Sequence, residues 1–377
     1  MKNEIKFTQR PAFINRQYEL AFLRAFIQDT PNRLLFMYGP KSSGKTTLLI
    51  KFVEEIEKSK IYNTMFFNLR ELLICSYKDF IQVFFEPENT DKENRKKIEY
   101  DLKVFKISFE TIKQLENNQV DPFKVMKMNL EHFKSQGIIP IIIIDELQAL
   151  SEIYFNGQRE LLKELFNFFV AMTKESHLCH VIISSSDGYF IERIYSDSKL
   201  QKTSTFLEVD YLEKDDIFYW LNNLEKESGI TAFTLTQEQI EIIWHYFGGS
   251  IWEIYELLSH QFQFAKDGKV SNEDIISFSK AKIKAFAIKF QDYAKFNPFK
   301  IKLLKISNKY FIDKDSIILM DFDLFAKQGD NYKYIADEIG SLVQKNLFSY
   351  NPVTGEYKPQ GHSIQLGLEL YCKDYAI

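Results

Sequence analysis

An eight-residue segment constrains the fold of this chain more than any other feature. Residues 39–46 read Gly-Pro-Lys-Ser-Ser-Gly-Lys-Thr and match the pattern G-x-x-x-x-G-K-[ST]. The apolar run 33–38 before the segment predicts a buried strand, and the apolar spacing over 45–59 predicts a helix after it. Because a strand, a glycine-rich loop and a helix follow one another, the segment predicts a loop whose backbone N–H groups face phosphates.

The pattern assigns chemistry to individual positions of this loop. Lys45 can reach the β- and γ-phosphates of a nucleotide and take part in catalysis, and the Thr46 hydroxyl can bind Mg²⁺. The alternative is a chance match in a glycine turn, which the flanking strand and helix argue against. The other predicted nucleotide contacts in the loop are Gly39, Pro40, Lys41, Ser42, Ser43, Gly44 and Thr47.

A second element places two acids after an apolar strand. Residues 138–144 are continuously apolar and predict a strand buried on both faces, and Asp145 and Glu146 follow it. In α/β sheets, ligands bind at the carboxyl ends of the strands. We therefore expect Asp145 to hold Mg²⁺ and Glu146 to polarise the attacking water as general base. An ordinary charge pair at a strand end is the alternative.

A serine-rich strand end supplies a third candidate. Residues 181–186 read Val-Ile-Ile-Ser-Ser-Ser. On a strand beside the acidic one, Ser184 or Ser185 could offer a hydroxyl to the γ-phosphate or to the attacking water. The alternative is a turn that caps the next helix.

The order of predicted elements indicates an α/β protein whose parallel sheet has helices on both faces. Further strands are predicted over 64–69, 180–184 and 205–209, a helix over 158–175 and a hairpin over 99–110. After residue 212 only helices are predicted at first, over 214–227, 236–247, 250–266 and 272–291.

A third segment begins near residue 297. Helices are predicted over 299–308, 315–327 and 332–345, and the short runs 347–350 and 356–358 flank a turn-forming sequence. Three helices and a hairpin are the order of a winged helix-turn-helix. We predict a nucleotide-binding core over 1–212, a helical lid over 213–295 and a winged-helix domain over 296–377.

Two weaker motifs complete a family resemblance. Residues 13–20 read Phe-Ile-Asn-Arg-Gln-Tyr-Glu-Leu and resemble F-x-x-R-E-x-E-L, and residues 248–251, Gly-Gly-Ser-Ile, resemble G-G-x-P. With the loop, the acid pair and the serine-rich strand, the chain resembles the archaeal-type ATPase family of the AAA+/STAND P-loop NTPases. The resemblance implies an ATPase that uses ATP and Mg²⁺ and carries a helical lid and a winged helix.

The resemblance also implies contacts outside the loop. The segment containing Phe13 and Arg16 would lie against the adenine, and the lid would close on the nucleotide near Gly248. Gln17 stands where the family has an acid, and Ile251 where it has a proline. A hydrophobic staple before a helix is the alternative reading of Phe13.

A shortage of arginine bears on catalysis. The chain has eight arginines and none beyond Arg193. The resembled family carries L-Y-G-R before its fifth strand, whereas this chain has Leu-Gln-Lys-Thr at 200–203, so Lys202 stands in the arginine's place. Arg193 or Lys202 would stabilise charge on the γ-phosphate, although a surface role is an alternative for Arg193. Hydrolysis is expected to be slow, to use Lys202, or to need a partner.

Charge and composition limit the partners. The net charge is −4, which argues against a global basic field, yet 280–309 carries nine lysines against Asp292, with aromatic residues between them. A DNA partner, or a protein partner of the winged helix, stays open, as does a solvated helix face. Acids in the presumed recognition helix and the absence of arginine there argue against sequence-specific reading.

Other classes of protein are not supported. Three scattered cysteines suggest no disulfide framework, and 176–180 lacks a second Cys/His cluster to complete a metal site. The longest apolar run is far shorter than a membrane span, and no signal-peptide pattern starts the chain, so we expect a cytoplasmic protein without membrane contact. No feature predicts an oligomeric state.

Three functions remain after the sequence analysis. The first is a Mg²⁺-dependent ATPase switch that converts ATP to ADP and phosphate, in which nucleotide held between core and lid fixes the orientation of the C-terminal module. The second is an ATP-dependent nucleic-acid-binding regulator or DNA-loading factor. The third is a scaffold that binds ATP and scarcely turns it over.

Overall fold

The computed structural model describes residues 10–87, 104–150, 153–155, 159–188, 190–191, 202–265, 267–323 and 332–374. The chain divides into two compact units. Residues 17–38 and 45–208 form one, which we call the sheet unit. Residues up to 16, 39–44 and those from 209 onward form the other, which we call the helical unit. The boundary between the two units falls within the loop motif. Residues 39–44 belong to the helical unit, and Lys45 and Thr46 belong to the sheet unit.

The sheet unit alternates strands and helices along the chain. Its described elements are α1 Gln17–Gln28, β1 Leu34–Tyr38, α2 Lys45–Ile56, β2 Tyr62–Asn68, α3 Tyr77–Phe84, β3 Phe85–Pro87, β4 Phe105–Ile107, α4 Phe109–Glu116, α5 Pro122–Ser135, β5 Ile139–Asp145, β6 Tyr154–Phe155, β7 Arg159–Glu160, α6 Leu161–Val170, β8 His180–Ser184 and β9 Ser204–Glu208.

Five of these strands form the central sheet, in the order β2-β5-β8-β1-β9, and every neighbouring pair is parallel. The strands β1 and β8 are buried along their whole length, as is most of β5. Continuous burial of this kind explains why these strands read as unbroken apolar runs rather than as alternating patterns. The predicted α/β class with a parallel sheet is confirmed.

The register of the sheet positions polar side chains at one edge. Asp145 is paired with Asn68 of β2 on one side and with Ser184 of β8 on the other. Because parallel strands run in the same direction, their carboxyl ends meet at one edge of the sheet. The predicted acidic and serine-rich strand ends are therefore neighbours.

In the sheet unit one local prediction is wrong and a predicted helix differs at its start. Within the described part of 99–110, β4 pairs in parallel with β3 and the helix α4 starts at Phe109, so no hairpin forms there. The hydroxyl of Ser108 accepts the N–H of Thr111 and caps α4, which ends the extended segment. The helix predicted from residue 158 starts only at Leu161, because Arg159 and Glu160 pair with β6, and a π-helical turn over Ala171–Glu175 continues it.

The helical unit contains eight described helices and one hairpin beyond residue 208. They are α7 Lys214–Asn222, α8 Leu224–Ser228, α9 Gln237–Phe247, α10 Ile251–Phe264, α11 Asn272–Ala294, α12 Pro298–Lys314, α13 Tyr332–Gln344, β10 Phe348–Tyr350, β11 Tyr357–Pro359 and α14 His362–Asp374. The strands β10 and β11 pair antiparallel across the predicted turn.

Packing in the helical unit follows the apolar faces of its helices. One core is built on Trp220, Phe247 and Leu257, and the N-terminal residues Ala12 and Ile14 are buried in it. The indole N–H of Trp220 donates to the Ser228 hydroxyl at 2.7 Å, which satisfies its one buried donor.

The C-terminal part of this unit departs from prediction in two ways. In the helix predicted over 315–327, Ile317 is instead paired with Tyr357 in extended conformation and Leu319–Phe322 form a short 3-10 turn, whereas 324–327 lie outside the described residues. The sequence analysis also missed α14, which follows the hairpin and packs against α11. None of the described helices is long and apolar enough to cross a membrane.

Candidate functional site

The first glycine of the loop motif is held against the backbone of the following segment. Gly39 has a φ of 149°, and a Cβ at this position would lie 2.1 Å from the carbonyl oxygen of Val209. No real side chain tolerates that distance to a backbone atom, so this position requires glycine. Gly44 and Ser42 also have positive φ values, 96° and 63°, which turn the loop towards the helix that follows.

Arg16 ties the loop to the same segment. Its guanidinium is buried and donates to the carbonyl oxygen of Ser43 at 2.8 Å and to that of Asp210 at 2.7 Å. Two charge-assisted bonds to backbone carbonyls fix the loop geometry. The resemblance placed Arg16 at the adenine. Here it supports the backbone of the phosphate loop, a role that the sequence pattern did not indicate.

Tyr211 connects the loop to the C-terminal part of the helical unit. Its hydroxyl lies 3.0 Å from the carbonyl oxygen of Lys41 and 3.3 Å from that of Gln360, which immediately precedes the turn into α14. Burial raises the pKa of the Tyr211 hydroxyl well above its usual range, and the carboxylates of Glu253 and Asp210 act in the same direction. The hydroxyl therefore stays protonated and donates to these carbonyls. No motif identifies Tyr211 in the sequence.

The remaining predicted residues of this unit are placed as follows. Pro40 and Ser43 are buried, whereas Lys41 is exposed. Phe13 is half-buried between Ala12 and Ile14, which lie in the core of the helical unit. Gly248 caps the end of α9, and its N–H donates to the carbonyl oxygen of Trp244 at 2.8 Å.

The sheet unit holds the other half of the motif beside the first acid. Lys45 begins α2 and is buried. The hydroxyl of Thr46 donates to Oδ2 of Asp145 at 2.6 Å, and Oδ1 of Asp145 is buried with no partner among the described residues. A buried carboxylate oxygen without a partner is costly, and a cation would satisfy it.

This donor set fits Mg²⁺. A hydroxyl and a carboxylate oxygen are hard ligands, and Mg²⁺ is commonly held by one or two protein oxygens together with substrate phosphates and waters. In the described residues no group of three or more His, Cys, Asp or Glu side chains could hold a metal by itself. Thr46 and Asp145 are thus suited to a Mg²⁺ ion that arrives with a nucleotide.

Glu146 is held in a left-handed backbone conformation, with φ at 62°. Its N–H donates to the carbonyl oxygen of Ser184 at 2.9 Å, which ties the strained residue to the neighbouring strand. A non-glycine residue in this region costs about 1 kcal/mol or more, and such residues cluster at active sites. In this backbone conformation the Glu146 side chain does not take the direction that it would have on a regular strand.

The Glu146 carboxylate is surrounded by donors. The guanidinium of Arg70 and the amide of Gln148 both contact it, and the hydroxyl of Ser186 lies 3.2 and 3.4 Å from its two oxygens. Glu146 is buried, whereas the Arg70 side chain is 57% exposed. Glu146 is thus paired with an arginine whose side chain is more than half exposed to solvent.

The sequence patterns indicated Arg16 and Arg193 as arginines near the nucleotide, and did not indicate Arg70. Arg70 lies in the 3-10 turn Leu69–Glu71 that follows β2, with Asn68 as its cap. The only signal for Arg70 in the sequence was its position after β2, a strand that lies beside β5 and its two acids. Since strand order in a parallel sheet differs from chain order, that signal could not be used without the topology.

The two serines at the end of β8 have different surroundings. Ser184 is buried, and its hydroxyl has no partner among the described residues. Ser185 donates to the side-chain oxygen of Gln148 at 2.9 Å, which orients the amide that contacts Glu146. The Ser184 hydroxyl is therefore without a hydrogen bond to the described residues, whereas the Ser185 hydroxyl holds the Gln148 side chain in place.

Two of the remaining predicted residues are exposed side chains of the sheet unit. Lys202 is exposed, two residues before β9, and Thr47 is exposed on α2. Arg193 lies outside the described residues.

Comparison with known proteins agrees with this architecture. A family described as an ATPase domain predominantly from Archaea matches residues 13–257. An ATP-binding protein of Methanocaldococcus jannaschii is 33% identical over 352 residues, which cover 92% of this chain and 91% of that protein. A second from the same organism is 35% identical over 351 residues, covering 92% and 95%. The names of both relatives call them uncharacterized.

Two solved structures share the fold. The Walker-type ATPase of Pyrococcus abyssi superposes with a TM-score of 0.64 at 15% identity, covering 97% of this chain and 99% of that one. The ORC2 protein of Aeropyrum pernix, solved as ADPNP and ADP complexes, superposes with a TM-score of 0.55 at 13% identity, covering 99% and 96%.

Proposed function

Because the chain belongs to the ATPase family that occurs predominantly in Archaea, we propose that it is a Mg²⁺-dependent P-loop ATPase that acts as a nucleotide-controlled switch. The observation that carries this proposal is the pairing of Thr46 with Asp145, whose second oxygen is buried without a partner among the described residues. A hydroxyl and an unsatisfied carboxylate at the start of the phosphate-loop helix suit the Mg²⁺ form of a nucleoside triphosphate.

Each residue of the motif then has a task. The N–H groups of Gly39 and of 41–44 bind phosphate oxygens, and the Lys45 ammonium offsets charge on the β- and γ-phosphates. Thr46 and Asp145 would hold Mg²⁺, which when bound neutralises charge that develops on the phosphates. Phe13 and Gly248 are proposed to contact the nucleotide outside the loop, and Thr47 extends the set of N–H donors at the helix start.

Glu146 is the proposed general base. It would accept a proton from the water that attacks the γ-phosphorus, so that the β–γ bond breaks and ADP leaves. Ser184, with its buried and unpartnered hydroxyl, is proposed to orient that water or the γ-phosphate. Lys202 and Arg193 are retained as candidates for stabilising charge on the γ-phosphate.

Hydrolysis by the isolated chain is proposed to be slow. A carboxylate whose oxygens already accept hydrogen bonds from a guanidinium, an amide and a hydroxyl has fewer acceptor positions free for the attacking water. Arg70 must withdraw before Glu146 can act fully. A partner that draws Arg70 away would accelerate turnover.

The switch is proposed to run through Tyr211. Binding of phosphate by the loop changes the surroundings of the Lys41 carbonyl, and Tyr211 bonds both this carbonyl and that of Gln360. The C-terminal segment would respond through this one hydroxyl. We propose the division 1–212 for the ATPase core, 213–295 for the lid and 296–377 for a winged-helix domain, with β10 and β11 as the wing.

Two substitutions test the proposal. Lys45→Ala should weaken ATP binding roughly 100-fold or more, because it removes a buried charge from the phosphates. The matched control is Lys51→Ala on the same helix, where the lysine pairs with Glu54 at the surface. Glu146→Gln should bind ATP and leave it unhydrolysed. If Lys45→Ala binds ATP with wild-type affinity in isothermal titration calorimetry, the loop is not the nucleotide site.

Two other functions are separable from this one. Nucleic-acid binding by the C-terminal segment is favoured by the nine lysines over 280–309; it predicts salt-dependent binding that does not require hydrolysis. A scaffold that binds ATP without turnover predicts that the wild type and Glu146→Gln hydrolyse ATP at the same rate.

A further inference from the structure

A cavity in the C-terminal part of the helical unit is rich in positive charge. It has a volume of about 450 Å³ and lies at the end of α11, the start of α12 and the residue that follows α13. We call it the lysine cavity. The charged and polar side chains that line it are Lys289, Asp292, Tyr293, Lys295, Lys300 and Lys345.

The charge of this cavity is not balanced by its own walls. Four lysines and one carboxylate line the cavity, and the Glu338 carboxylate pairs with Lys300, which leaves a surplus of two positive charges at neutral pH. Within the described residues Lys295 and Lys345 form no ion pair, and the Lys289 ammonium lies over the Phe286 ring, 4.9 Å from its centre. A concave surface with one sign of charge concentrates ligands of the opposite sign.

One of the lysines is held in place. The Lys300 ammonium lies 3.3 Å from Oε2 of Glu338 and 4.5 Å from the centre of the Tyr293 ring. The Tyr293 hydroxyl donates to the same Glu338 oxygen at 2.6 Å. Because Glu338 is buried and contacts both groups, it holds Lys300 in place, and Asp292 is the one carboxylate among the described lining residues beside the other three lysines. A positioned ammonium pays less conformational entropy on binding than a freely moving one.

The turn that carries Lys295 presents an aromatic side chain beside it. Lys295 and Phe296 have φ values of 41° and 59°, and the next helix starts at once, with Asn297 accepting the N–H groups of Phe299 and Lys300. Phe296 is 90% exposed. The Phe296 side chain therefore adds no burial to the fold, while the left-handed conformation of Lys295 and Phe296 costs stability.

We propose that the lysine cavity and Phe296 form a binding site for a single strand of nucleic acid. A backbone phosphate would occupy the cavity, and a base would stack on the Phe296 ring. A positive groove with an exposed aromatic ring is the combination by which proteins bind single strands without reading their sequence. This inference rests on the second candidate function, and it does not depend on ATP hydrolysis.

The test measures binding of a fluorescein-labelled oligothymidine to the full chain by anisotropy at low salt. Lys295→Gln combined with Lys345→Gln should weaken binding about tenfold or more, since two phosphate-facing charges are lost. The matched control is Lys269→Gln combined with Lys373→Gln, which removes the same charge from exposed positions of the helical unit outside the cavity and outside 280–309. The control should change binding less than about threefold.

A second variant separates stacking from charge. Phe296→Ala should weaken binding of the single strand and leave binding of inorganic tripolyphosphate, followed by calorimetry, unchanged. Thermal unfolding and ATP binding of each variant show that it is folded. If Phe296→Ala binds the single strand like the wild type, the cavity takes a small phosphorylated ligand at most, and the assignment to a nucleic acid fails.

The remaining outcomes also decide. Equal weakening by the cavity variant and its control overturns the site while leaving nucleic-acid binding intact, because the charge then acts diffusely. Absence of binding by the wild type overturns both the site and the second candidate function. Neither result bears on the ATPase, which is measured with Lys45→Ala and Glu146→Gln.

Discussion

The hydroxyl of Thr46 donates to the carboxylate of Asp145 over 2.6 Å, and the other oxygen of that carboxylate is buried without a partner in the described part of the chain. The pairing joins the first turn of α2 to the carboxyl end of β5, two elements almost a hundred residues apart. The unpartnered oxygen of Asp145 is an acceptor that a bound cation would satisfy.

We therefore expect ATP binding to depend on Mg²⁺ through Asp145. In the wild type, chelation of Mg²⁺ should weaken ATP binding. Asp145→Asn should weaken Mg²⁺-dependent binding roughly 10- to 100-fold and make the affinity nearly independent of Mg²⁺. Calorimetric titrations with ATP in Mg²⁺ and in EDTA measure both effects. Asp121→Asn, at the exposed cap of α5, serves as control. An Asp145→Asn variant that retains the full Mg²⁺ dependence would contradict the assignment.

The contact of Arg70 with Glu146 predicts a faster enzyme when it is broken. Arg70→Ala should raise basal ATP turnover roughly threefold or more, because a Glu146 oxygen now occupied by the guanidinium becomes free to accept from the attacking water. Release of phosphate under saturating ATP is the measurement, and Arg33→Ala, which removes an exposed arginine paired with Asp29, is the control. A fall in turnover instead would mean that Arg70 acts on the phosphates.

Gly39 should tolerate no side chain. Gly39→Ala places a Cβ 2.1 Å from the Val209 oxygen, so we expect lower thermal stability and loss of ATP binding. Gly137→Ala is an informative control, since its φ is 73° but nothing lies within 4 Å of the added Cβ. That control should cost only about 1–2 kcal/mol, the penalty of the left-handed conformation itself. Similar losses for both variants in chemical denaturation would remove the steric argument.

The Tyr211 hydroxyl should transmit nucleotide binding to the C-terminal segment. Tyr211→Phe keeps the ring and deletes the bonds to Lys41 and Gln360. We expect ATP affinity to change little, whereas the ATP-dependent change in hydrogen exchange over 357–365 should be lost. Tyr219→Phe, which deletes the phenol bond to Glu227 at the surface, should retain the response. An unaltered response in Tyr211→Phe would rule out this route.

His180 should make folding sensitive to mild acid. It is buried beside the Phe26 ring, and burial lowers the pKa of its imidazole from 6.5 to about 4. Between these values the unfolded chain binds a proton that the folded chain does not, so stability falls as the pH drops from 6.5 towards 4. The loss attributable to His180 is at most about 3 kcal/mol. The free energy of unfolding is measured in denaturant titrations across this pH range. It should vary less with pH in His180→Phe than in the wild type. His177→Gln, at an exposed histidine, should leave the pH dependence unchanged.

Much of the site could be predicted because its residues lie in short segments with recognisable patterns. The loop motif, the apolar strand before Asp145 and the serine-rich strand each combine a residue pattern with a strand or helix of matching period. The parallel sheet follows from strands that alternate with helices. Since the carboxyl ends of such strands share an edge, the proximity of Thr46, Asp145 and Ser184 did not require knowledge of the strand order beyond that rule.

What the sequence could not supply were contacts between distant segments that leave no local pattern. Arg70 reaches Glu146 because β2 lies beside β5, and a single arginine after a strand has no signal of its own. The bond from Tyr211 to Lys41 depends on the path of the chain after β9. The hairpin expected over 99–110 failed for a related reason: the partner of β4 is β3, which lies outside that segment.

The sequence by itself thus determined the class of fold, the phosphate loop and the identity of the two acids, because these depend on periodicity and on residues adjacent in the chain. Only the tertiary structure decided how those groups are constrained. It pairs Glu146 with Arg70, ties the loop through Arg16 and Tyr211, and gathers lysines from three helical segments around one cavity. Side-chain partners across a fold are set by strand order and helix packing, which no short pattern encodes.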